Sequence, residues 1–407
     1  MGNFENFLGG IIRQGAIEVV LPDGRRVRAG DGGEPQLIVR IAERARLAAI
    51  LLKPSLGLGE GYMDGDVTFE RGAIADLLAL AARNSADTPL RRRAGLLRRV
   101  WSNWVRRRNS KGAARRNAAH HYDLSIELYR RFLDEDLQYS CAYFERPGMS
   151  LEEAQRAKKR HIAAKLRLAP GQRVLDIGCG WGGLALSLTR WAEVKVDGVT
   201  LSAEQLAAAR ARAEAAGLSS AARFSLTDYR DVEGPYDRIV SVGMFEHVGA
   251  ANYQTYFDQV ARLLADDGVA LIHSIGRAEG PSTTDAFTAK YIFPGGYIPA
   301  LSEVIPAVER AGLKITDIEI LRLHYADTLK AWRERFMANR AAIANIYDER
   351  FCRMWEFYLA GAEMGFRYGP HMVFQLQLAK SHGVVPITRD YIGEAERALK
   401  ERPKIVA

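Results

Sequence analysis

An apolar run that breaks into alternating glycines, residues 174–183 (VLDIGCGWGG), restricts the fold of this chain more than any other stretch. An apolar run that ends at an acid, here Asp176, is typical of a buried strand in a parallel sheet. Gly178, Gly180 and Gly182 allow the backbone to turn tightly and to approach a ligand without a Cβ clash. The pattern predicts a strand, a turn and a helix that bind a nucleotide-like ligand. An ordinary glycine-rich loop of an α/β domain is the alternative.

The second half of the chain alternates between strand-like and helix-like patterns. Seven strands are predicted, at residues 174–177, 194–200, 222–226, 238–242, 269–275, 315–323 and 372–378. Helical spacing covers residues 203–216 and 253–264 between them. This order predicts a doubly wound α/β domain with its ligand crevice at the carboxyl ends of the parallel strands. An aromatic helical insertion, residues 325–370, separates the last two strands and either packs in a core or lines a groove for an acyl chain.

Residues 1–87 have the pattern of a separate, small α+β domain. Strands are expected at 16–21, 26–28 and 37–41, the first two joined by the turn Pro22-Asp-Gly24, and helices at 41–52 and 73–82. The glycines of residues 57–65 predict a compact loop between the two helices. Because nothing here has catalytic spacing, we expect this domain to bind lipid, to pack against the rest of the chain or to form a homodimer.

A strongly basic stretch follows this domain. Residues 88–119 contain eleven Lys and Arg and no Asp or Glu, so the rest of this chain of net charge +8 is acidic. Trp101, Trp104 and several leucines and valines recur between the charges at helical spacing. Such a stretch is typical of a segment that lies on an anionic membrane surface, while a solvated linker and an RNA-binding arm are the alternatives. We interpret residues 88–116 as a basic amphipathic linker to a catalytic domain at 117–407.

Length and composition limit the class of protein. A chain of 407 residues is too long for one ordinary core and predicts two domains. The absence of a bilayer-spanning apolar run and of a secretion signal at the N-terminus favours a cytoplasmic protein. Cys141, Cys179 and Cys352 are too few and too scattered for a disulfide framework or a zinc cluster, so we expect reduced thiols and no bound metal.

Six short motifs together resemble one protein family. They are HHYD at 120–123, YSCAYF at 139–144, the glycine turn at 174–183, GMFEHVG at 243–249, HSIG at 273–276 and HYADTL at 324–329. Their order and spacing resemble the cyclopropane-fatty-acyl-phospholipid synthase family, which includes the mycolic-acid cyclopropane synthases and related C-methyltransferases. The resemblance covers essentially the whole chain. It implies a class I, Rossmann-like methyltransferase with a seven-stranded sheet that uses S-adenosylmethionine.

The resemblance also implies which residues hold S-adenosylmethionine. Tyr139 and Ser140 are expected to hold the methionyl carboxylate together with the turn formed by Asp176, Gly178 and Gly180, while Thr200 and Gln205 match the ribose side and Asp228 and Tyr229 the adenine pocket. A carboxylate can accept a hydrogen bond from the adenine amine, and an aromatic ring can cover the base. Helix capping by Asp228 and core packing by Tyr229 are the alternatives.

A second implied site holds a bicarbonate ion that acts as the base. The matching residues are Glu246, His273 and Tyr325, with backbone groups of Cys141 and Ile275. A carboxyl group that faces an anion must share a proton with it, and the histidine and the tyrosine hydroxyl can donate hydrogen bonds. Without the resemblance, a helix-start carboxylate, a core histidine and a packed aromatic would be the ordinary interpretations. No general-base histidine is placed beside Cys141 by the sequence, so a backbone role is expected rather than a nucleophilic thiol.

These expectations combine into one function. The chain is expected to transfer the methyl group of S-adenosylmethionine to the cis double bond of an unsaturated phospholipid, at the inner face of the membrane, and to form a cyclopropane ring. A related C-methyltransferase that gives methyl- or methylene-branched chains would use the same carbocation. An RNA methyltransferase and a non-enzymatic lipid-binding protein are the alternatives from other classes. The chain shows no base-reading module, so no nucleic-acid partner is expected, and the intact glycine turn argues against a protein without cofactor.

Overall fold

The computed structural model describes residues 2–85 and 124–401. Within these residues the chain divides into two compact units. The first comprises residues 2–85, 282–294 and 329–370, and the second comprises residues 124–281, 295–328 and 371–401. The predicted basic linker at 88–116 and the HHYD motif at 120–123 lie outside the described residues.

A four-stranded sheet organises the first unit. Its strands are β1 (Ala16–Val20), β2 (Arg26–Gly30), β3 (Leu37–Ile41) and β4 (Val67–Arg71), in the order β2-β1-β3-β4. The predicted hairpin is confirmed, because β1 and β2 pair antiparallel around a turn in which the amide of Gly24 donates to the carbonyl of Leu21. Alternating apolar residues such as Val19 and Val39 point from the strands into a buried core.

Helices complete the first unit. They are Gly2–Ile11, Arg44–Leu52, Pro54–Asp64, Ile74–Ser85, Arg340–Ala344 and Glu349–Arg367, together with residues 329–338 of the helix His324–Ala338. The predicted helical character of the aromatic insertion is thereby confirmed. Core packing accounts for several of its aromatic side chains, since Trp332, Phe336 and Trp355 are almost completely buried.

The prediction of a loop at residues 57–65 is wrong, because residues 54–64 form a helix that ends at Gly65 in the left-handed conformation. Its glycines serve close packing rather than a turn. A Cβ at Gly57 would lie 2.5 Å from the carbonyl carbon of Ala49, and one at Gly59 would lie 2.3 Å from the Phe287 ring. Glycine lowers the intrinsic stability of this helix, but only glycine allows neighbouring residues to pack so closely against it.

Replacing Gly59 with alanine is expected to lower the free energy of unfolding by about 1–3 kcal/mol, the usual cost of overpacking a core. The reason is that Phe287 is 1% exposed and has no room to move its ring away. A matched control is Gly9→Ala in the helix Gly2–Ile11, where a Cβ meets nothing within 4 Å. That change should instead raise the free energy of unfolding by about 0.5–1 kcal/mol. Urea denaturation of both variants measures the two signs, and equal effects would refute this explanation of the glycine-rich helix.

The second unit contains a seven-stranded sheet. Its strands are β5 (Arg173–Ile177), β6 (Lys195–Thr200), β7 (Ala222–Leu226), β8 (Tyr236–Val242), β9 (Leu264–Arg277), β10 (Lys314–Ile320) and β11 (His371–Ala379). Their order is β10-β11-β9-β8-β5-β6-β7, and only β11 runs antiparallel to its neighbours, β9 and β10. All seven predicted strands are confirmed. This is the predicted Rossmann-like sheet of class I methyltransferases, with β5 at the point where the strand order reverses.

Helices cover the strands of the second unit. They are Ile126–Phe132, Leu151–Leu166, Gly183–Ala192, Ala203–Ala215, Tyr253–Leu263, Leu301–Arg310 and Asp390–Lys400, with residues 324–328 of the helix His324–Ala338. Apolar residues of β5 contribute to two separate clusters of buried side chains, Leu175 to one and Val174 to the other. Since strand residues alternate between faces, both faces of the sheet are buried, which explains why its central strands contain consecutive apolar residues such as Val174 and Leu175. No helix among residues 2–85 and 124–401 is both long and apolar enough to cross a membrane.

Candidate active site

The glycine turn joins β5 to the helix Gly183–Ala192 as predicted. Gly178, Gly180 and Gly182 all have positive φ, between +55° and +83°. The amides of Gly178 and Cys179 donate to the carbonyl of Val199 at the end of β6, with N···O distances of 2.9 and 3.1 Å. A Cβ at Gly178 would lie only 2.8 Å from the Cβ of Met244. Residue 178 must therefore be glycine, both because its φ is positive and because its backbone packs closely against Met244.

The turn forms one wall of a cavity of about 170 Å³ at the carboxyl ends of β5, β6, β7 and β8. All nine residues predicted to bind the cofactor line this cavity: Tyr139, Ser140, Asp176, Gly178, Gly180, Thr200, Gln205, Asp228 and Tyr229. None of the five predicted catalytic residues, all of which the structure describes, is among the lining residues. Two of them lie one residue away from the wall, since Cys141 follows Ser140 and Glu246 precedes His247.

The cavity wall that follows β6 is formed by the start of the helix Ala203–Ala215. Ser202 caps the helix Ala203–Ala215 by accepting a hydrogen bond from the amide of Gln205. The Thr200 hydroxyl donates to the side-chain oxygen of Gln205, with an O···O distance of 3.0 Å. Both side chains are buried, so their polar groups form a fixed edge for a ligand with hydroxyl groups.

The cavity wall that follows β7 contains a buried carboxylate that already has partners within the protein. Asp228 accepts from the backbone amide of Arg230 and pairs with its guanidinium group at 2.6 Å. This is the capping role that the sequence left open as an alternative, and it fixes the short helical turn Tyr229–Asp231. Burial raises the pKa of Tyr229 to about 12, so its hydroxyl group stays protonated at neutral pH.

A buried acidic side chain from β5 also lines the cavity. Asp176 is 2% exposed, and no described residue forms a hydrogen bond with its Oδ2. Burial raises the pKa of Asp176 to about 7, although the nearby charge of Lys158 opposes this shift. Near neutral pH the group is therefore divided between acid and carboxylate. The protonated form can donate a hydrogen bond that a carboxylate cannot.

The segment that carries Tyr139 and Ser140 is held from behind by the helix Leu151–Leu166. The side-chain amide of Gln155 donates to the carbonyls of Gln138 and Ser140 at 3.2 and 2.9 Å. The side chain of Lys158 is completely buried, and its Nζ donates to Gln138 Oε1 at 2.6 Å and to Ser140 Oγ at 2.9 Å. Two side chains from one helix thus fix three consecutive residues of the cavity wall.

Glu246 lies in the short helical turn Phe245–His247 that follows β8. Its Oε1 accepts a hydrogen bond from the amide of Ile275 with an N···O distance of 2.6 Å, while no described residue donates to its Oε2. Burial raises the pKa of Glu246 to about 7, against the opposing hydrogen bond from Ile275. The structure thus brings together two of the predicted catalytic residues and leaves one carboxyl oxygen for a further partner.

His273 lies on β9, two residues before Ile275 and on the same face of the sheet. Burial lowers the pKa of His273 to about 3, so its ring is neutral at physiological pH. The side-chain nitrogen of Gln375 on β11 lies 3.1 Å from His273 Nδ1. If the amide donates there, the proton of the neutral ring is on Nε2, which is then a hydrogen-bond donor.

Cys141 and Tyr325 are connected through a neighbouring threonine. The amide of Ala142, next to Cys141, donates to Thr328 Oγ1 at 3.0 Å, and Thr328 lies one helical turn after Tyr325. Cys141 is buried, and burial raises the pKa of its thiol. A thiol that stays protonated is a poor nucleophile, which agrees with the backbone role expected for this residue.

Several polar residues around the cavity were not predicted from the sequence. Gln138, Arg230 and His247 line it, and Lys158 supports its wall. His247 was the one residue with a signal, because it stands within the GMFEHVG motif. Burial lowers the pKa of His247 to about 4, so the ring faces the cavity in its neutral form. Among the described residues, no group of three or more His, Cys, Asp and Glu side chains could hold a metal ion.

Known proteins are similar to this chain in sequence and in fold. Residues 109–376 match the family described as mycolic acid cyclopropane synthetase, and residues 6–92 match a domain of unknown function. The chain is 40% identical over 349 residues to the cyclopropane-fatty-acyl-phospholipid synthase of Escherichia coli K12, which covers 84% of this chain and 87% of that protein. It is 38% identical over 382 residues to the tuberculostearic acid methyltransferase UfaA1 of Mycobacterium tuberculosis, covering 89% and 88% of the two chains.

Two solved structures extend the likeness to the fold. The cyclopropane synthase MmaA2 from Mycobacterium tuberculosis matches with a TM-score of 0.62 and 35% identity, covering 65% of this chain and 98% of that one. The mycolic acid cyclopropane synthase CmaA1, complexed with SAH and CTAB, matches with a TM-score of 0.61 and 35% identity, covering 65% and 97%. With its sheet order, its glycine turn and these relatives, the chain belongs to the mycolic acid cyclopropane synthetase family and is an S-adenosylmethionine-dependent methyltransferase.

Proposed function

We propose that this enzyme transfers the methyl group of S-adenosylmethionine to the cis double bond of an unsaturated phospholipid acyl chain and forms a cyclopropane ring. The observation that carries this proposal is the buried carboxyl group of Glu246, which lies beside the cofactor cavity and has one oxygen without a partner among the described residues. The Escherichia coli relative bears the name of this activity and is similar to the chain over most of its length.

The proposed reaction needs a base but no strong nucleophile from the protein. The alkene attacks the methyl carbon, the carbon–sulfur bond breaks, and the positive charge moves from sulfur to the acyl chain. Loss of a proton from the new methyl group then closes the three-membered ring. Water must be kept from the cation until that proton leaves, which agrees with a site built from buried groups.

We assign the base to a bicarbonate ion held by Glu246, His273 and Tyr325. A carboxyl group whose pKa is raised to about 7 can share a proton with the bicarbonate, so the two need not repel each other. Neutral His273 offers one ring N–H as a donor. Ile275 acts indirectly in this scheme, because its amide is already bound to Glu246. Cys141 contributes to this site through its backbone groups and not through its thiol.

A second product follows from the same cation and is favoured by a separate observation. The relative named tuberculostearic acid methyltransferase is almost as similar to this chain as the Escherichia coli enzyme. A hydride shift within the cation, followed by loss of a proton from the new methyl group, would give a methylene-branched chain. Unsaturated phospholipid vesicles and methyl-labelled S-adenosylmethionine, followed by NMR of the product, decide between them. Upfield ring protons are expected, whereas olefinic methylene protons would overturn the cyclopropane assignment.

We also propose that the enzyme works at an anionic membrane surface. The composition of residues 88–119 supports this, with eleven basic residues and two tryptophans. The helix Arg44–Leu52, none of whose residues is buried, offers a second surface for membrane binding. Leu51 and Leu52, at its end, are 40% and 82% exposed, and Lys53 follows them. Exposed leucines beside a basic residue are the side chains that a headgroup boundary binds.

Replacing Leu51 and Leu52 together with aspartate is expected to weaken binding to anionic vesicles by about tenfold or more, because each buried leucine contributes about 1.5–3 kcal/mol. Vesicle sedimentation measures the change, and Ile387→Asp is the matched control, since Ile387 is fully exposed in the second unit. Raising the salt concentration from 0.1 to 1 M, which shortens the Debye length from about 10 to about 3 Å, should weaken wild-type binding as well. Equal binding of the double variant and the control would remove this helix from the proposal.

A further inference from the structure

We propose that Lys158 is a positioning residue for the cofactor: its buried ammonium group compensates the methionyl carboxylate through Ser140 and Gln138. This inference rests on the assignment of that carboxylate to the Tyr139–Ser140 segment. Lys158 does not line the cavity, whereas both of its hydrogen-bond acceptors do. It therefore acts through other residues and is not itself in contact with the ligand.

The first argument is electrostatic. The side chain of Lys158 is completely buried, and no carboxylate forms an ion pair with it in the described part of the chain. Burial lowers its pKa to about 8, so most of the group is still charged at neutral pH. A buried charge without a counter-ion destabilises a protein, and an anion that binds nearby removes part of that cost. The cation is thus better satisfied when the cavity holds a carboxylate.

The neighbouring acids Asp134 and Asp136 attract the ammonium group of Lys158, but neither forms an ion pair with it in the described part of the chain. Asp136 is paired with Lys159, at 2.5 Å, and with Arg212. Asp134 accepts from the backbone amides of Asp136 and Gln138, and burial raises its pKa. Asp134 and Asp136 therefore have other partners, and burial raises the pKa of the third acid, Asp176, to about 7.

The second argument is the direction of the hydrogen bonds. Ser140 Oγ accepts from Lys158, so the hydroxyl proton of Ser140 is available to a ligand in the cavity. A hydroxyl group that accepts from an ammonium group becomes a stronger donor, because hydrogen bonds in a chain polarise one another. Gln138 is held in the same way through Oε1, while its amide nitrogen donates to Asp136. Lys158 thereby aims Ser140 at an anion.

The test compares two ligands that differ only in the carboxylate: S-adenosylhomocysteine and its decarboxylated analogue. Lys158→Met keeps the length of the side chain and removes its charge. We expect the dissociation constant of S-adenosylhomocysteine to rise about tenfold, because Ser140 loses the ammonium group that strengthens its own hydrogen bond to the carboxylate. The dissociation constant of the analogue should change by less than twofold. Isothermal titration calorimetry measures both.

Lys165→Met is the matched control. Lys165 is also completely buried and lies two helical turns further along the same helix, but it pairs with Asp317 and Glu319. Its replacement should lower stability and leave the ratio of the two dissociation constants unchanged. Equal losses for both ligands in Lys158→Met, or an equal change of the ratio in Lys165→Met, would reduce Lys158 to a structural residue. Failure of the proposed reaction would instead be seen in the product spectrum.

A second measurement uses the wild-type protein and decides the matter even if Lys158→Met does not fold. The preference for S-adenosylhomocysteine over the analogue should fall as the pH rises from 7 to 9, because Lys158 loses its charge near pH 8. The fall should be steeper than in Lys158→Arg, whose side chain keeps its charge and which shows the part due to the ligand's own α-amino group. The titratable or charged groups that act on Lys158 are Asp134, Asp136, Cys141, Lys159, Asp176 and His273. The same titration in Asp176→Asn shows whether Asp176, whose pKa is raised to about 7, contributes to the change. A preference that stays constant over this range would overturn the proposal.

Discussion

Replacing Glu246 with glutamine is expected to remove most turnover while leaving the affinities for cofactor and lipid unchanged. Glutamine keeps an oxygen that can accept from the amide of Ile275, so the local fold should survive. It cannot share a proton with a bicarbonate ion, and positioned proton transfer contributes about 10²–10⁴-fold to rate. A loss of this size in kcat should therefore accompany an unchanged KM. Steady-state kinetics on unsaturated vesicles, with cofactor binding measured separately, checks both.

At high pH, Glu246→Gln should increase the stability of the protein relative to the wild type. Burial raises the pKa of Glu246 to about 7, above its ordinary value near 4.5. The folded state therefore favours the protonated form, and that contribution is complete below pH 4.5 and is lost as the pH rises through 7. At pH 8 the charged form costs up to about 3 kcal/mol, which glutamine avoids. Urea denaturation at pH 5.5 and pH 8 should show that Glu246→Gln becomes relatively more stable at the higher pH.

Glu309→Gln is the control for both measurements, because Glu309 is exposed near the end of the helix Leu301–Arg310. It should change neither turnover nor the dependence of stability on pH. Full activity in Glu246→Gln, or activity that persists after bicarbonate is depleted, would show that another group removes the proton. A stability that responds to pH as in the wild type would show that Glu246 is not the titrating group.

Replacing Gly178 with valine is the second change with a large expected effect. The new Cβ would lie 2.8 Å from Met244, and the residue would have to keep a φ of +83°, which disfavours a β-branched side chain. The turn must then shift away from the position in which it lines the cavity. Cofactor affinity should fall by at least about 100-fold, comparable to a lost set of hydrogen bonds to the bound nucleotide. Calorimetry with S-adenosylhomocysteine measures the loss.

Backbone strain must be separated from the loss of the site. Gly217→Val is the control, because Gly217 has a φ of +67° and a Cβ there meets nothing within 4 Å. It stands after the helix Ala203–Ala215 and does not line the cavity. Both variants should lose stability, but only Gly178→Val should lose the ligand. Unchanged affinity in a folded Gly178→Val protein would remove the turn from the cofactor site.

The sequence predicted the strands of the second unit because both faces of its sheet are buried. Such strands are short, largely apolar runs bounded by turn residues, and residues 174–177 are recognisable because glycines follow them directly. The nine predicted residues that line the cavity were assigned through the family resemblance, position by position. Thr200 and Asp228 also stand at or just after the ends of predicted strands, so their place in the chain indicates the crevice at the carboxyl ends of the sheet.

Other features depend on contacts that a sequence does not display. The helix Pro54–Asp64 has the composition of a loop, and its glycines make sense only once Ala49 and Phe287 are known to pack against them. Lys158 and Lys165 stand in a helix with several charged residues, which usually indicates an exposed face, yet both are completely buried. Their partners are remote in the chain or follow no periodic pattern, so burial could not be inferred.

The position of β11 in the sheet has a consequence for the order in which the protein is made. This strand is the last of the seven in the chain but lies between β9 and β10, and its Gln375 contacts the ring of His273. On the ribosome, at about 5–20 residues per second, β9 emerges several seconds before β11, and its edge stays unpaired meanwhile. The glycine turn is complete long before His273 has its neighbour. A nascent chain can therefore form the glycine turn well before β11 pairs with β9 and brings Gln375 to the ring of His273.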